Sequence, residues 1–115
     1  PGAVLQLVTV AQHPRHAVVV SIDGRGAVTL HFPSSPTSDT ALPIGEARLP
    51  QSFELDDAPG FERFVLISSP APIDVHAVLV ASRAVAADPA GRLRGPLPLP
   101  PGLRQTDRLV EKEIP

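Results

Sequence analysis

Ala17-Val18-Val19-Val20-Ser21-Ile22, then Asp23-Gly24-Arg25-Gly26, then Ala27-Val28-Thr29-Leu30-His31-Phe32: between His16 and Pro33, two β-rich runs flank a turn that carries two glycines. Interior positions that are β-branched or aromatic suit a pleated, packed surface, and glycine accepts positive φ without a Cβ penalty. The stretch reads as a β-hairpin and the seed of a sheet.

Working outward, Val4 to Val10 is an earlier strand, and Pro14 marks a turn between it and the hairpin. Three consecutive antiparallel strands in a meander are the simplest arrangement. Residues 33–44 form a polar, proline-punctuated connection, expected on the surface and mobile. Ala47 to Leu55 reads as two short strand pieces or one edge strand broken at Pro50, and Asp56 to Gly60 as a second turn. The unbroken apolar run Phe64 to Ile67 predicts that the strand from Phe61 to Ser68 is buried on both faces and closes a second hairpin with its predecessor.

After Pro70-Ala71-Pro72 the period changes. Val75, Val78, Leu79, Ser82, Val85 and Ala86 recur at helical spacing, Asp74 can cap the start, and Asp88-Pro89 with Gly91 ends the run. One helix near residues 74–87 follows, and its apolar stripe requires a sheet to cover it. Gly95-Pro96-Leu97-Pro98-Leu99-Pro100-Pro101-Gly102 is then an extended polyproline strap whose leucines Leu97, Leu99 and Leu103 lie on the core. Gln105 to Ile114 reads as a last strand, with an amphipathic helix as the competing reading. The fold class is α+β: a mainly antiparallel sheet, or a partly closed β-sandwich, of five to seven strands with a single helix, in one small β-rich domain over 1–115.

Composition narrows function by exclusion. The chain has 115 residues with Cys 0, Trp 0 and Tyr 0, so thiol chemistry and Cys-ligated zinc are out. A net charge of -2, from 10 basic and 12 acidic residues spread along the chain, provides no field for nucleic acid. No window reaches the roughly 20 apolar residues of a membrane span. The start at Pro1-Gly2-Ala3 lacks a secretion signal and suggests a C-terminal fragment of a longer protein.

The chemistry-bearing residues favour plain readings. His13 and His16 flank Pro14, so their rings need not share a face, and both are expected as surface turn histidines. His31 is expected on the outer sheet face and His76 in the solvated first helical turn. No Gly-x-Ser-x-Gly elbow surrounds any serine, and Lys112 is the only lysine. Glu54, Asp56, Asp57 and Glu62 gather four acids around the second turn, with Arg63 beside them as an ion partner. This cluster could hold Ca²⁺ through oxygen ligands, but turn-forming aspartates account for it, and it is the candidate interaction surface. No catalytic residue, cofactor or metal is assigned.

Three segments, Ser21 to Phe32, Phe53 to Phe64 and Pro98 to Thr106, resemble a domain of unknown function at the C-terminal end of bacterial membrane-tethered, anti-sigma-factor-like regulatory proteins. The run Glu54-Leu55-Asp56-Asp57-Ala58-Pro59-Gly60-Phe61-Glu62-Arg63-Phe64 is the most specific part. The resemblance implies an extracytoplasmic, periplasmic-side location, tethered through an upstream segment outside this chain; a cytoplasmic location is the alternative. It implies no catalytic residues. The functional expectation is a non-enzymatic sensing or protein-interaction module with a protein or peptide partner, and the competing class is a sandwich that binds a sugar or peptide ligand. An edge near Pro50 or at the charged last strand could accept a peptide by strand addition.

Overall fold

The computed structural model describes residues 4–11, 15–42, 45–54 and 60–111. In chain order the elements are β1 (Val4–Ala11), β2 (Arg15–Asp23), β3 (Val28–Phe32), β4 (Ala41–Leu42), β5 (Gly45–Glu54), β6 (Phe61–Ser69), α1 (Val75–Ala86), α2 (Gly91–Arg94) and β7 (Arg104–Glu111). A five-stranded antiparallel sheet runs β3-β2-β6-β7, with β4 pairing the start of β2, and β1 pairs β5 in a separate two-stranded sheet. The architecture is α+β and the main sheet is open, so the alternative of a partly closed sandwich is not the one adopted.

Strand pairing follows burial. Residues 17–23 of β2 are buried without a break, and β6 is buried at Glu62 through Val65 and again at Ile67. Only a central strand is covered on both faces. The two therefore pair with each other, from His16↔Ser69 to Asp23↔Glu62. This pairing corrects two expectations. β1 does not extend a meander onto β2, and β5 does not form a hairpin with β6. Excluded from the centre, β1 and β5 pair together, Val4↔Glu54 through Ala11↔Gly45. Pro50 does not break β5 in two. The register instead slips around it, with Gln6 opposite Ser52 and Val8 opposite Arg48, the bulge a proline without an N–H requires.

The predicted hairpin is present as β2 and β3. Its turn is fixed by Asp23, whose Oδ1 accepts from the Arg25 and Ala27 amides at 2.8 and 2.9 Å. Of the two glycines, Gly26 takes the left-handed conformation, at φ 86°. A Cβ there would stand 2.7 Å from the Ala86 carbonyl oxygen, so glycine also permits the turn to touch the end of α1.

One face of the sheet, the helix face, carries Val18, Val20, Ile22, Val65 and Ile67, and α1 covers it with Val75, Val78, Leu79, Ala81, Val85 and Ala86. Each fully buried valine or isoleucine contributes roughly 1.5–3 kcal/mol over its exposed state. Asp74 caps α1, its Oδ1 accepting from the Ala77 amide at 3.2 Å, and the buried Ser82 hydroxyl donates to the Val78 carbonyl. The strap completes the core as expected: Leu97 is buried, and Leu99 and Leu103 pack against the cluster. The Gln105 carboxamide holds it by accepting from the Leu97 amide and donating to the Leu97 carbonyl, both at 3.0 Å.

Two features depart from the sequence reading. The connection after β3 is pinned rather than loose: Pro33 and Thr40 are buried, and the Thr40 carbonyl accepts from the Ala17 amide at 2.8 Å. A second, short helix, α2, follows the predicted one. It positions Arg92, which donates from Nε to the Ala86 carbonyl and from Nη1 to the Gly24 carbonyl, both at 3.0 Å, tying the end of α1 to the hairpin turn.

Candidate functional site

β7 lies at the margin of the main sheet. It pairs with β6 on one side, Phe61↔Glu111 through Ser68↔Arg104, and among the described residues no strand pairs with its other side. Arg104, Thr106, Asp107, Arg108 and Leu109 are all exposed, Leu109 at 44%. An edge of eight residues presents a row of backbone donors and acceptors aimed away from the molecule.

The two faces of this strand differ in charge. Register places Gln105, Asp107 and Leu109 on the helix face beside Ile67, Val65 and Arg63. There the Arg63 guanidinium, 2% exposed, donates from Nε to Asp107 Oδ2 at 2.6 Å and forms an ion pair with the same oxygen through Nη2. On the outer face Arg104, Thr106 and Arg108 lie beside Ser68, Leu66 and Phe64. Arg15 joins them from β2, its Nη2 3.4 Å from Ser68 Oγ, so that Arg15 and Arg104 flank Ser68. Neither Arg104 nor Arg108 forms an ion pair among the described residues. Leu66, 37% exposed, is the apolar floor of this basic patch.

The interaction surface expected from the sequence centres on the turn before β6. Glu62 and Arg63 are each 1% exposed, which removes them from any interaction surface. They belong to a central strand, and its burial takes the charges inside with it. Arg63 pairs with Asp107 on β7. Glu54 is the last residue of β5, opposite Val4, while Asp56 and Asp57, and with them the suggested Ca²⁺ turn, lie outside the described residues. No group of three or more potential metal ligands occurs among the described residues.

The histidines are more engaged than expected. His16 is a β2 residue, half-buried, with Nδ1 2.8 Å from Thr40 Oγ1, and that oxygen also accepts from the Ile73 amide at 3.2 Å. His31 does lie on the outer face, but half-buried: Nε2 is 2.8 Å from Ser21 Oγ and the ring centroid 5.4 Å from that of Phe64. Burial pushes its pKa down from 6.5 to about 4. An imidazole beside a hydroxyl is the pair an acyl-transfer enzyme would use, yet Ser21 is 0% exposed, so no substrate carbonyl can reach it. His16 and His31 occupy opposite faces of the sheet and converge on no common hollow. His76 is exposed on α1, and His13 lies outside the described residues.

Between α1 and the strap run two shallow apolar grooves. One of about 420 Å³ is lined by Pro70, Pro72, Pro101 and Leu103, and one of about 440 Å³ by Val80, Ala84 and Leu99. They share Ala77 and Pro100.

Fold and surface together define an open α+β domain in which the eight-residue strand β7 is a sheet edge with no partner on its outer side among the described residues. Comparison with protein families, curated proteins and solved structures finds no match.

Proposed function

We propose that this chain is a non-enzymatic protein-interaction module that receives an extended segment of a partner protein alongside β7. The observation that carries the reading is the strand itself: eight residues at the margin of an open sheet, six of them exposed, unpaired on their outer side among the described residues. Strand addition derives its affinity from main-chain hydrogen bonds and its selectivity from alternate side chains, so it needs no pocket and no reactive group. The Arg63–Asp107 bridge and the Gln105 clamp hold β7 to the core, which spares an incoming segment the cost of ordering it.

In the setting the resemblance suggests, the module serves a membrane-tethered bacterial regulator on the extracytoplasmic side, as a sensing or relay surface. No helix among the described residues is long and apolar enough to cross a membrane, so the tether in this reading comes from a segment beyond these residues.

The grooves beside α1 favour a second reading, a small apolar or peptide ligand held between helix and strap. A sugar suits them poorly, because the chain has no Trp or Tyr to stack on it.

Selection of random displayed dodecapeptides on the folded chain, followed by amide exchange of the complexes, separates the two. Binders that protect β7 amides support strand addition. Binders that protect α1 and the strap, leaving β7 unchanged, overturn it in favour of the groove.

A further inference from the structure

We infer that the segment β7 receives is acidic on its outer face, with a carboxylate on alternate residues, and that the arginines of that face discriminate against a second copy of this chain. The inference rests on the strand-addition reading and gives its partner a chemistry.

The geometry is that of an antiparallel ladder. Arg104 and Arg108 are four residues apart on one strand, so their Cα atoms stand about 13 Å from each other, with Thr106 between them on the same face. A strand added alongside would run about 4.8 Å from β7 and place every second side chain on that face, opposite or diagonal to the arginines. Arg15 extends the positive surface inward across β6, about two strand spacings from Arg104. The described carboxylates on the same face, Asp23 and Glu62, are 4% and 1% exposed and cannot meet an incoming side chain. The other face of β7 has the opposite character: Asp107 is engaged by Arg63, and Glu111 is exposed. A matching segment therefore alternates acidic residues outward with neutral or basic residues inward.

The same pattern weighs against self-pairing in the register that sets these arginines opposite one another. Two copies of β7 related by a two-fold axis normal to the sheet would keep outer face with outer face. Centred on Thr106, that pairing sets Arg104 of each copy opposite Arg108 of the other, and like charges directly opposite destabilise a sheet.

Two blocked eight-residue peptides, one alternating Glu with Thr and one alternating Gln with Thr, test this by NMR titration of the full chain. The Glu peptide is expected to protect β7 amides and to bind about fivefold to tenfold tighter than the Gln peptide at low salt. That preference should fall below about twofold in the R104Q/R108Q double variant. Gln and Glu peptides binding β7 equally would overturn the charge inference while leaving strand addition intact. Failure of both to protect β7 would overturn both readings. A wild-type chain that dimerises through β7 in sedimentation would contradict the discrimination against self.

Discussion

Arg63 reaches diagonally from the central strand β6 to Asp107 on the edge strand β7, and the two form an ion pair with one end sealed and the other 39% exposed. The guanidinium has lost its water and depends on this carboxylate and, more weakly, on the Arg92 carbonyl at 3.4 Å. Removing one partner of a buried pair costs about 3–5 kcal/mol, and the partial exposure of Asp107 lowers the expectation to about 2–3 kcal/mol for Asp107→Ala. Arg63→Ala should cost a similar amount, and the double variant clearly less than the sum. Urea denaturation of the four proteins measures this coupling; strictly additive losses would show that the bridge does not fasten β7.

His31 makes stability depend on acid. Its folded pKa of about 4 lies below the unfolded 6.5 because burial disfavours the imidazolium. Between these values the unfolded chain binds the proton and the folded chain does not. Its contribution is intact above pH 6.5 and is lost as pH falls toward 4, by about 1–2 kcal/mol once solvent screening of the partly exposed ring is allowed for. His31→Gln should flatten that part of the curve. Denaturation midpoints between pH 7 and 4 for both proteins would reveal it, and parallel curves would contradict the assignment.

Two glycines with the same backbone conformation should respond differently to alanine. Gly26 and Gly60 have φ of 86° and 88°, but a Cβ at Gly26 meets the Ala86 carbonyl at 2.7 Å, while one at Gly60 meets nothing within 4 Å. Gly60→Ala is expected to cost about 1–2 kcal/mol from conformation alone. Gly26→Ala should exceed it by at least about 1 kcal/mol, since two backbone segments must separate. Equal losses in thermal denaturation would mean that turn and helix are not in contact.

Thr40 anchors the connection after β3 through its side-chain oxygen. Thr40→Val keeps the shape but leaves the buried Ile73 amide without its acceptor, a loss of about 1–3 kcal/mol, whereas Thr40→Ser restores the oxygen and most of the stability. Equal effects of the two variants on the denaturation midpoint would show that the hydroxyl is not the anchor.

The elements themselves were legible because periodicity is a local signal: the hairpin around Asp23-Gly24-Arg25-Gly26, the strand through Phe64 to Ile67, though with Leu66 exposed, the helix after Asp74 and the leucine strap all stand where the pattern put them. Pairing was not legible, since the competition for the centre of the sheet is between distant segments, and β1 found β5 instead of its sequence neighbour. The burial of Glu62 and Arg63 was not legible for the same reason. Glu62 and Arg63 looked like turn charges until β6 became central, whereas the alternation Arg104, Thr106, Arg108 against Gln105, Asp107, Leu109 was present in the sequence and lacked only the knowledge that β7 is an edge. Thr40 and Arg92 left no local trace, because their roles consist of bonds to residues 33 and 68 positions away.

The central claim, that β7 offers an unpaired edge, is tested most directly by residue-resolved hydrogen exchange of the free chain. An edge strand bonded on one side should show alternation from Arg104 to Glu111, with amides aimed at β6 protected and the intervening ones exchanging at near solvent rates. Protection of every amide along β7 would mean that the edge is already occupied, and would contradict the account.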